Sequence, residues 1–326
     1  MMKILVLLLF FASFSPVIGQ ASALDRAIEA YKAENYATAL VILQRLADGD
    51  GRENGLVWNY IGLTNMKIDD LPTAEKAFEK AVRFSPNDSS IRSNYAFVFL
   101  LRRDQGGALR NATKAIELDP NNSGAYLIRA FARHWGVKND EALDDVNRAI
   151  ALKSDFSSAY LLKSEILLSQ FVSKSEGRRQ DTGAIRLIDN AVAALEDCAS
   201  VCKDPATVTE RGRKLDDLKS YASFFRLGYP LEPLGSKSAI TDITPPRVLS
   251  LPRIPYSDLD GFVIRGSVKV IALFDIDGSV KSVFVATPLP VELSQILIRT
   301  TRQIRFRPAQ REGKAFPVVK LVEFEL

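Results

Sequence analysis

A set of residue types recurs every 34 residues through the middle of this chain, and that spacing constrains the fold more than any other feature. Trp58, Ile61, Gly62, Ala74, Phe78, Ala81 and Pro86 are followed 34 positions later by Arg92, Tyr95, Ala96, Ala108, Ala112, Ala115 and Pro120. A second step lands on Tyr126, Arg129, Ala130, Ala142, Val146, Ala149 and Ser154. The small slots (Gly62, Ala96, Ala130 and Ala74, Ala108, Ala142) let two helices approach closely, and Pro86 and Pro120 stop the second helix of a unit. One such helix pair cannot bury its own apolar face, so the units must stack. Three units are clear: 55–88, 89–122 and 123–156. Residues 20–54 read as a degenerate first unit, with Ala27 and Ala39 in the small slots. A fifth unit starts at Ser157 and is interrupted by a polar insertion, Ser173 to Thr182. The stretch from Ala206 to Leu227 reads as a capping helix, so the array is expected to fill residues 20–227.

The pattern of large apolar residue, small residue, then Ala, Phe, Ala and Pro resembles the tetratricopeptide repeat (TPR). The resemblance implies an all-α superhelical solenoid in which the first helix of each unit lines a concave groove. Its groove slots hold Asn59, Leu63 and Met66, then Ser93, Phe97, Leu100 and Leu101, then Leu127, Phe131, His134 and Trp135. The residues expected to bind peptide are Asn59, Leu63, Met66, Phe97, Leu100, Leu127, Phe131 and Trp135. Slots 5 and 9 lack the basic clamp with which some relatives grip a carboxyl terminus, so the ligand is expected to be apolar.

From Gly228 to Pro246 the chain turns to Pro, Gly, Ser and Thr, the composition of an extended linker. Beyond it, residues 247–326 form a different, small α+β domain, because the period switches from helical to alternating. Val268, Val270, Ala272 and Phe274 share one strand face, Asp277-Gly278 is a hairpin signal, and a strand returns over Ser279–Thr287. Leu293, Ile296, Leu297, Thr300 and Ile304 keep helical spacing, and Pro317–Phe324 supplies a last strand. The order resembles the TonB carboxyl-terminal domain, through Gly266-Ser267-Val268-Lys269-Val270, Asp277-Gly278-Ser279-Val280, Phe306-Arg307-Pro308-Ala309 and Gly313. Ser257 and Ile304 depart from that pattern, where a proline and a tryptophan are usual. The resemblance implies that an extended peptide, such as one from an outer-membrane transporter, pairs with the open edge of the last strand at Val318, Val319, Lys320, Leu321 and Val322.

Lys3 followed by the apolar run Ile4 to Phe14 and the small residues around Gly19–Ala23 describes a secretory signal peptide over residues 1–19. The run is too short to span a bilayer, and no later stretch approaches a membrane span. Export, in the bacterial setting that the TonB resemblance implies, is expected to place the protein in the periplasm and permits a disulfide between Cys198 and Cys202. An i,i+4 pair inside a regular helix is poorly placed for one, so the sequence leaves both states open.

Composition speaks against catalysis. One histidine and two cysteines in 326 residues are too few for most transition-metal sites, and hydroxyl or thiol nucleophiles would all depend on His134. Asp275-x-Asp277-Gly278 lacks the distal glutamate of a calcium loop and reads as a turn. No metal or cofactor is expected. A net charge of +4 argues against nucleic acid as partner, although Arg299, Arg302, Arg305, Arg307, Arg311 and Lys314 form a basic cluster near the end. The expected protein is a periplasmic adaptor with protein or peptide partners and no stable membrane span. Its rival is a TonB-type energy transducer with an uncleaved amino-terminal anchor, which the short linker disfavours.

Overall fold

The computed structural model describes residues 22–176, 182–236, 241–254 and 267–325. The expected signal peptide, Ser257 and Gly266 lie outside those residues. Two compact units divide between Phe84 and Ser85.

The first unit is four helices: α1 (Ala23–Lys32), α2 (Tyr36–Asp48), α3 (Gly55–Lys67) and α4 (Leu71–Phe84). Ala27, Ala39, Leu43, Val57 and Ile61 form its core. Gly62 shows what the small slot does. A Cβ built there falls 2.7 Å from the ring of Phe78 on α4, and Phe78 is fully buried. Gly62→Ala is therefore expected to cost about 1–3 kcal/mol through overpacking, seen as a lower urea midpoint. An unchanged midpoint would show that the two helices separate freely.

The second unit begins with α5 (Ser89–Leu101), α6 (Gln105–Leu118), α7 (Ser123–Trp135), α8 (Asn139–Leu152), α9 (Ser157–Ser175), α10 (Thr182–Asp197) and α11 (Pro205–Arg226). The 34-residue period reappears in the helix ends. Asn54, Asp88 and Asn122 each cap the first helix of a unit by accepting from a backbone N–H. The turn that closes that helix uses a left-handed residue in every unit: Asp69, Arg103 and Val137, with Glu34 at the same place after α1. In each, the following amide donates back to a carbonyl five residues earlier, as in Lys138 to Arg133, which satisfies an otherwise orphaned acceptor.

The array then runs into a sheet. Strands β1 (Glu232–Pro233), β2 (Ile243–Thr244), β3 (Arg247–Ser250), β4 (Ser267–Phe274) and β5 (Val280–Val285) precede α12 (Val291–Arg302), followed by β6 (Arg305–Arg307), β7 (Ala309–Arg311), β8 (Lys314–Phe316) and β9 (Val318–Glu325). The main sheet has the order β1-β9-β4-β5, with β4 antiparallel to both neighbours. The hairpin expected at Asp277-Gly278 is present, with Gly278 at φ +80° and Asp277 accepting from Ser279 N–H. Strands and helix follow the expected order.

Two expectations about the junction need correcting. The stretch 228–246 is not simply an extended linker: it contains β1 and β2, and it buries Tyr229, Leu231 and Ile243. Nor does α11 present a bare polar cap. Its Leu218, Tyr221, Ala222 and Phe225 join Leu168 and Phe171 of α9, Ile188 and Leu195 of α10, and the sheet residues Val270, Phe274 and Leu321 in one core. The apolar face that a terminal helix would otherwise leave in water is covered by the sheet. Among the described residues, no helix is long and apolar enough to cross a membrane.

Candidate functional site

The groove residues expected from the repeat slots separate into two classes. Asn59, Leu100 and Leu127 are buried; Leu100 packs with Ala96, Ala108 and Ile128, and Leu127 with Ala130, Val146 and Leu162. They hold neighbouring helices together and cannot meet a ligand. The reason is packing: Asn59, Leu100 and Leu127 turn toward the adjoining helices rather than toward solvent. Leu63 and Met66 are half-buried, and Phe97 is 40% exposed. Phe131 and Trp135 do line a concavity, but its other wall is one that repeat spacing does not reveal.

That concavity is a cleft of about 420 Å³ between the helical array and the sheet. Helix α7 contributes Phe131, His134 and Trp135, spaced i, i+3, i+4 so that they share a face. Helix α9 adds Ser164, Glu165 and Leu168. Helix α11 adds the stripe Glu210, Arg213, Lys214, Asp217, Leu218 and Tyr221, again at helical spacing. Across from them stand Val283–Val285 of β5, the loop Thr287–Leu289, and Val291, Ser294, Gln295 and Ile298 of α12. Size and mixed lining suit a ligand site.

Fixed polar contacts shape the walls. Lys214 is paired with both Glu165 and Glu210, the latter at 2.8 Å. Burial acts to lower the Lys214 pKa, but the two carboxylates outweigh it and hold the ammonium above its ordinary range. Burial raises the Asp217 carboxyl, opposed by a hydrogen bond to Ser282 and by Arg213 and Arg302. Tyr221, fully buried and raised well above the ordinary phenol range by that burial, bonds through its hydroxyl to the carbonyls of Ile271, at 3.1 Å, and Ser282. Ser282 sits at the β-bulge between β4 and β5 with φ +48°. Tyr221 thus fastens α11 to the strand where the ladder is interrupted.

His134 Nδ1 lies 2.7 Å from Asn139 Oδ1, and burial lowers its pKa, only partly offset by that bond. Ser164 Oγ donates to Leu161 O, so that hydroxyl and the imidazole of His134 are each tied to another group rather than to one another. Among the described residues, no group of three or more His, Cys, Asp or Glu side chains is placed to hold a metal ion.

The last strand departs from expectation. Val318, Val319, Lys320, Leu321 and Val322 are all buried, and β9 is not an open edge at its centre. Strand β1 pairs with it in parallel, Glu232 opposite Lys320 and Pro233 opposite Leu321, and Leu234 N–H donates to Leu321 O at 2.7 Å. Lys320 is ion-paired with Glu232. A strand from the junction occupies the centre of the edge at which a partner strand was expected. In the basic cluster, Arg311 pairs with Asp242 at 2.9 Å and donates to the Tyr229 hydroxyl at 2.8 Å.

Cys198 and Cys202 are joined by a disulfide, with Cα atoms 5.4 Å apart. The regular helix that would prevent this ends at Asp197, and the chain tightens into a 3₁₀ turn over Cys198–Ser200, which supplies the reach that helix geometry lacks.

The helices also match known structures. PilW, a widely conserved type IV pilus biogenesis factor, aligns over 62% of this chain and 86% of its own, with a TM-score of 0.52 and 16% identity. The helical array is a tetratricopeptide-repeat fold. YrrB, a TPR protein with an unusual peptide-binding site, aligns over 54% of this chain and 86% of its own, with a TM-score of 0.44 and 16% identity. A thermophilic TPR protein of Thermus thermophilus aligns over 63% of this chain and 97% of its own, with a TM-score of 0.45 and 17% identity. No protein-family model and no curated protein matches the chain in sequence.

Proposed function

We propose that this chain is a non-enzymatic adaptor that holds a segment of another protein in the cleft between the repeats and the sheet. The observation that carries the reading is the cleft itself: two repeat helices, the helix α11 and a strand–loop–helix wall converge there with an aromatic pair, Phe131 and Trp135, opposite apolar residues of β5 and α12. Rigid helices and a sheet position both walls, which lowers the ordering cost of binding. We further propose that the protein works outside the cytoplasm, in the periplasm. The apolar run at Ile4–Phe14 and the Cys198–Cys202 disulfide support this, because disulfides persist in oxidising compartments. A TonB-like ancestry of the small domain rests on its motif order. If an outer-membrane transporter is the partner, its strand cannot use β9 at Lys320 and Leu321 while β1 is there.

Site-specific photo-crosslinking in producing cells tests the adaptor reading. A photoreactive side chain at Leu289, in the cleft wall, is expected to yield a defined adduct with another protein. The same group at Ile276, which is exposed on the β4–β5 turn, is expected to yield none. Equal adducts from both positions, or none from Leu289, would remove the cleft from consideration.

A further inference from the structure

The adaptor reading leaves open what kind of segment the cleft receives, and β5 narrows the choice. In the main sheet β5 has β4 on one side; among the described residues no strand pairs with its other side. The register shows which backbone groups face that open side. Leu321 bonds outward to β1 through Leu234, so Ile271, opposite Leu321 on β4, turns its own N–H and C=O toward Phe284 of β5. Phe284 is therefore committed to β4, and its neighbours Val283 and Val285 turn their backbone groups the other way. Both residues line the cleft, but Val283 is almost wholly buried and Val285 is half-buried, so the edge is reachable at Val285. An open strand edge facing a cavity is a template for an added strand, and the cleft has room for a short extended segment rather than a domain.

Charge selects among segments. On the opposite wall two carboxylates, Glu165 and Glu210, share one ammonium, Lys214. That group of three carries a net charge of −1, while Arg213 and Asp217 balance formally, so the cleft as a whole favours a cation.

We propose that the occupant is an extended segment of a partner protein that adds a strand to the free side of β5 and sets a basic side chain against Glu165 and Glu210. The proposal rests on the adaptor reading and goes beyond it in naming the backbone edge and the partner's charge.

The test uses the full chain with Trp58→Phe, leaving Trp135 as the single indole in the cleft. The probes are blocked hexapeptides that alternate valine with lysine, with threonine or with glutamate, each also made with alternate backbone nitrogens methylated. Trp135 fluorescence is expected to report binding in the order lysine, threonine, glutamate. Methylation is expected to weaken the lysine series by about tenfold, the scale of one or two lost hydrogen bonds. Val285→Pro removes an outward N–H that the β4–β5 ladder does not use, so it is expected to reproduce that loss with an unchanged circular dichroism spectrum. Should Val285→Pro not fold, the methylated peptides decide alone. Binding that survives methylation would overturn strand addition while leaving the cleft a binding site. Equal binding of the lysine and glutamate series would overturn the charge selection. No fluorescence response in any series would overturn both this inference and the adaptor reading.

Discussion

Lys320→Ala is expected to destabilise the second unit by about 3–5 kcal/mol, the scale of breaking a buried ion pair from one side. The side chains of Lys320 and Glu232 are only 5% and 9% exposed, so the substitution removes a counter-charge that water cannot replace. Read as an open-edge residue, Lys320 would have been nearly neutral to the same change; its burial beside β1 reverses that expectation. Lys320→Met with Glu232→Leu is expected to recover most of the loss, since apolar residues of similar size often substitute for a buried pair without penalty. Urea unfolding followed by circular dichroism measures both. A loss under about 1 kcal/mol for the single variant, the range of an exposed pair, would mean that β1 leaves β9 readily and that the edge is open to partners after all.

The contrast between these two readings of Lys320 shows where the sequence was legible. The helical array could be read because a 34-residue period repeats the same steric requirement in each unit, and Gly62 against Phe78 is that requirement in atomic form. The strands of the small domain could be read because Val268, Val270, Ala272 and Phe274 alternate, and all are buried as the period demands. Pairing between distant segments leaves no such trace. Two residues, Glu232 and Pro233, suffice to occupy the centre of the β9 edge, and a two-residue strand has no periodicity to detect. The cleft was half legible for the same reason: Phe131 and Trp135 follow from helix phase, whereas Val283–Val285 and Tyr221 meet them only through tertiary packing. A signal for Tyr221 did exist. Leu218, Tyr221, Ala222 and Phe225 make the last helix apolar on a stripe that a polar outer cap would not need.

The repeat register also holds a second large effect. Position 129 is the slot filled by Ile61 in the first clear unit and Tyr95 in the next, and position 145 is the slot filled by Ala77 and Asn111. The apolar pair of the first clear unit gives way to Tyr95 and Asn111 in the second and to the charged Arg129 and Asp145 in the third. The two form a bidentate pair, Nε to Oδ2 at 2.9 Å and a terminal nitrogen to Oδ1 at 2.7 Å, and Arg133 adds a contact to Oδ2 at 2.6 Å. Asp145 is almost wholly buried between α7 and α8, and its hydrogen bonds raise the Arg129 pKa further. Asp145→Ala is expected to cost about 3–5 kcal/mol, because it strands the Arg129 guanidinium in a partly buried site; Arg133 keeps Glu141 at 3.2 Å. Arg129→Ile with Asp145→Ala, the pairing that the first clear unit uses, is expected to restore most of that stability. The consequence reaches the cleft, since α7 carries Phe131, His134 and Trp135 on the side that faces it. If the clamp sets the pose of α7, Asp145→Ala weakens capture at the cleft even at temperatures where the chain remains folded, and the apolar double variant restores it. Full capture by folded Asp145→Ala would confine the clamp to stability and leave the cleft aromatics positioned by α9 and α11 alone.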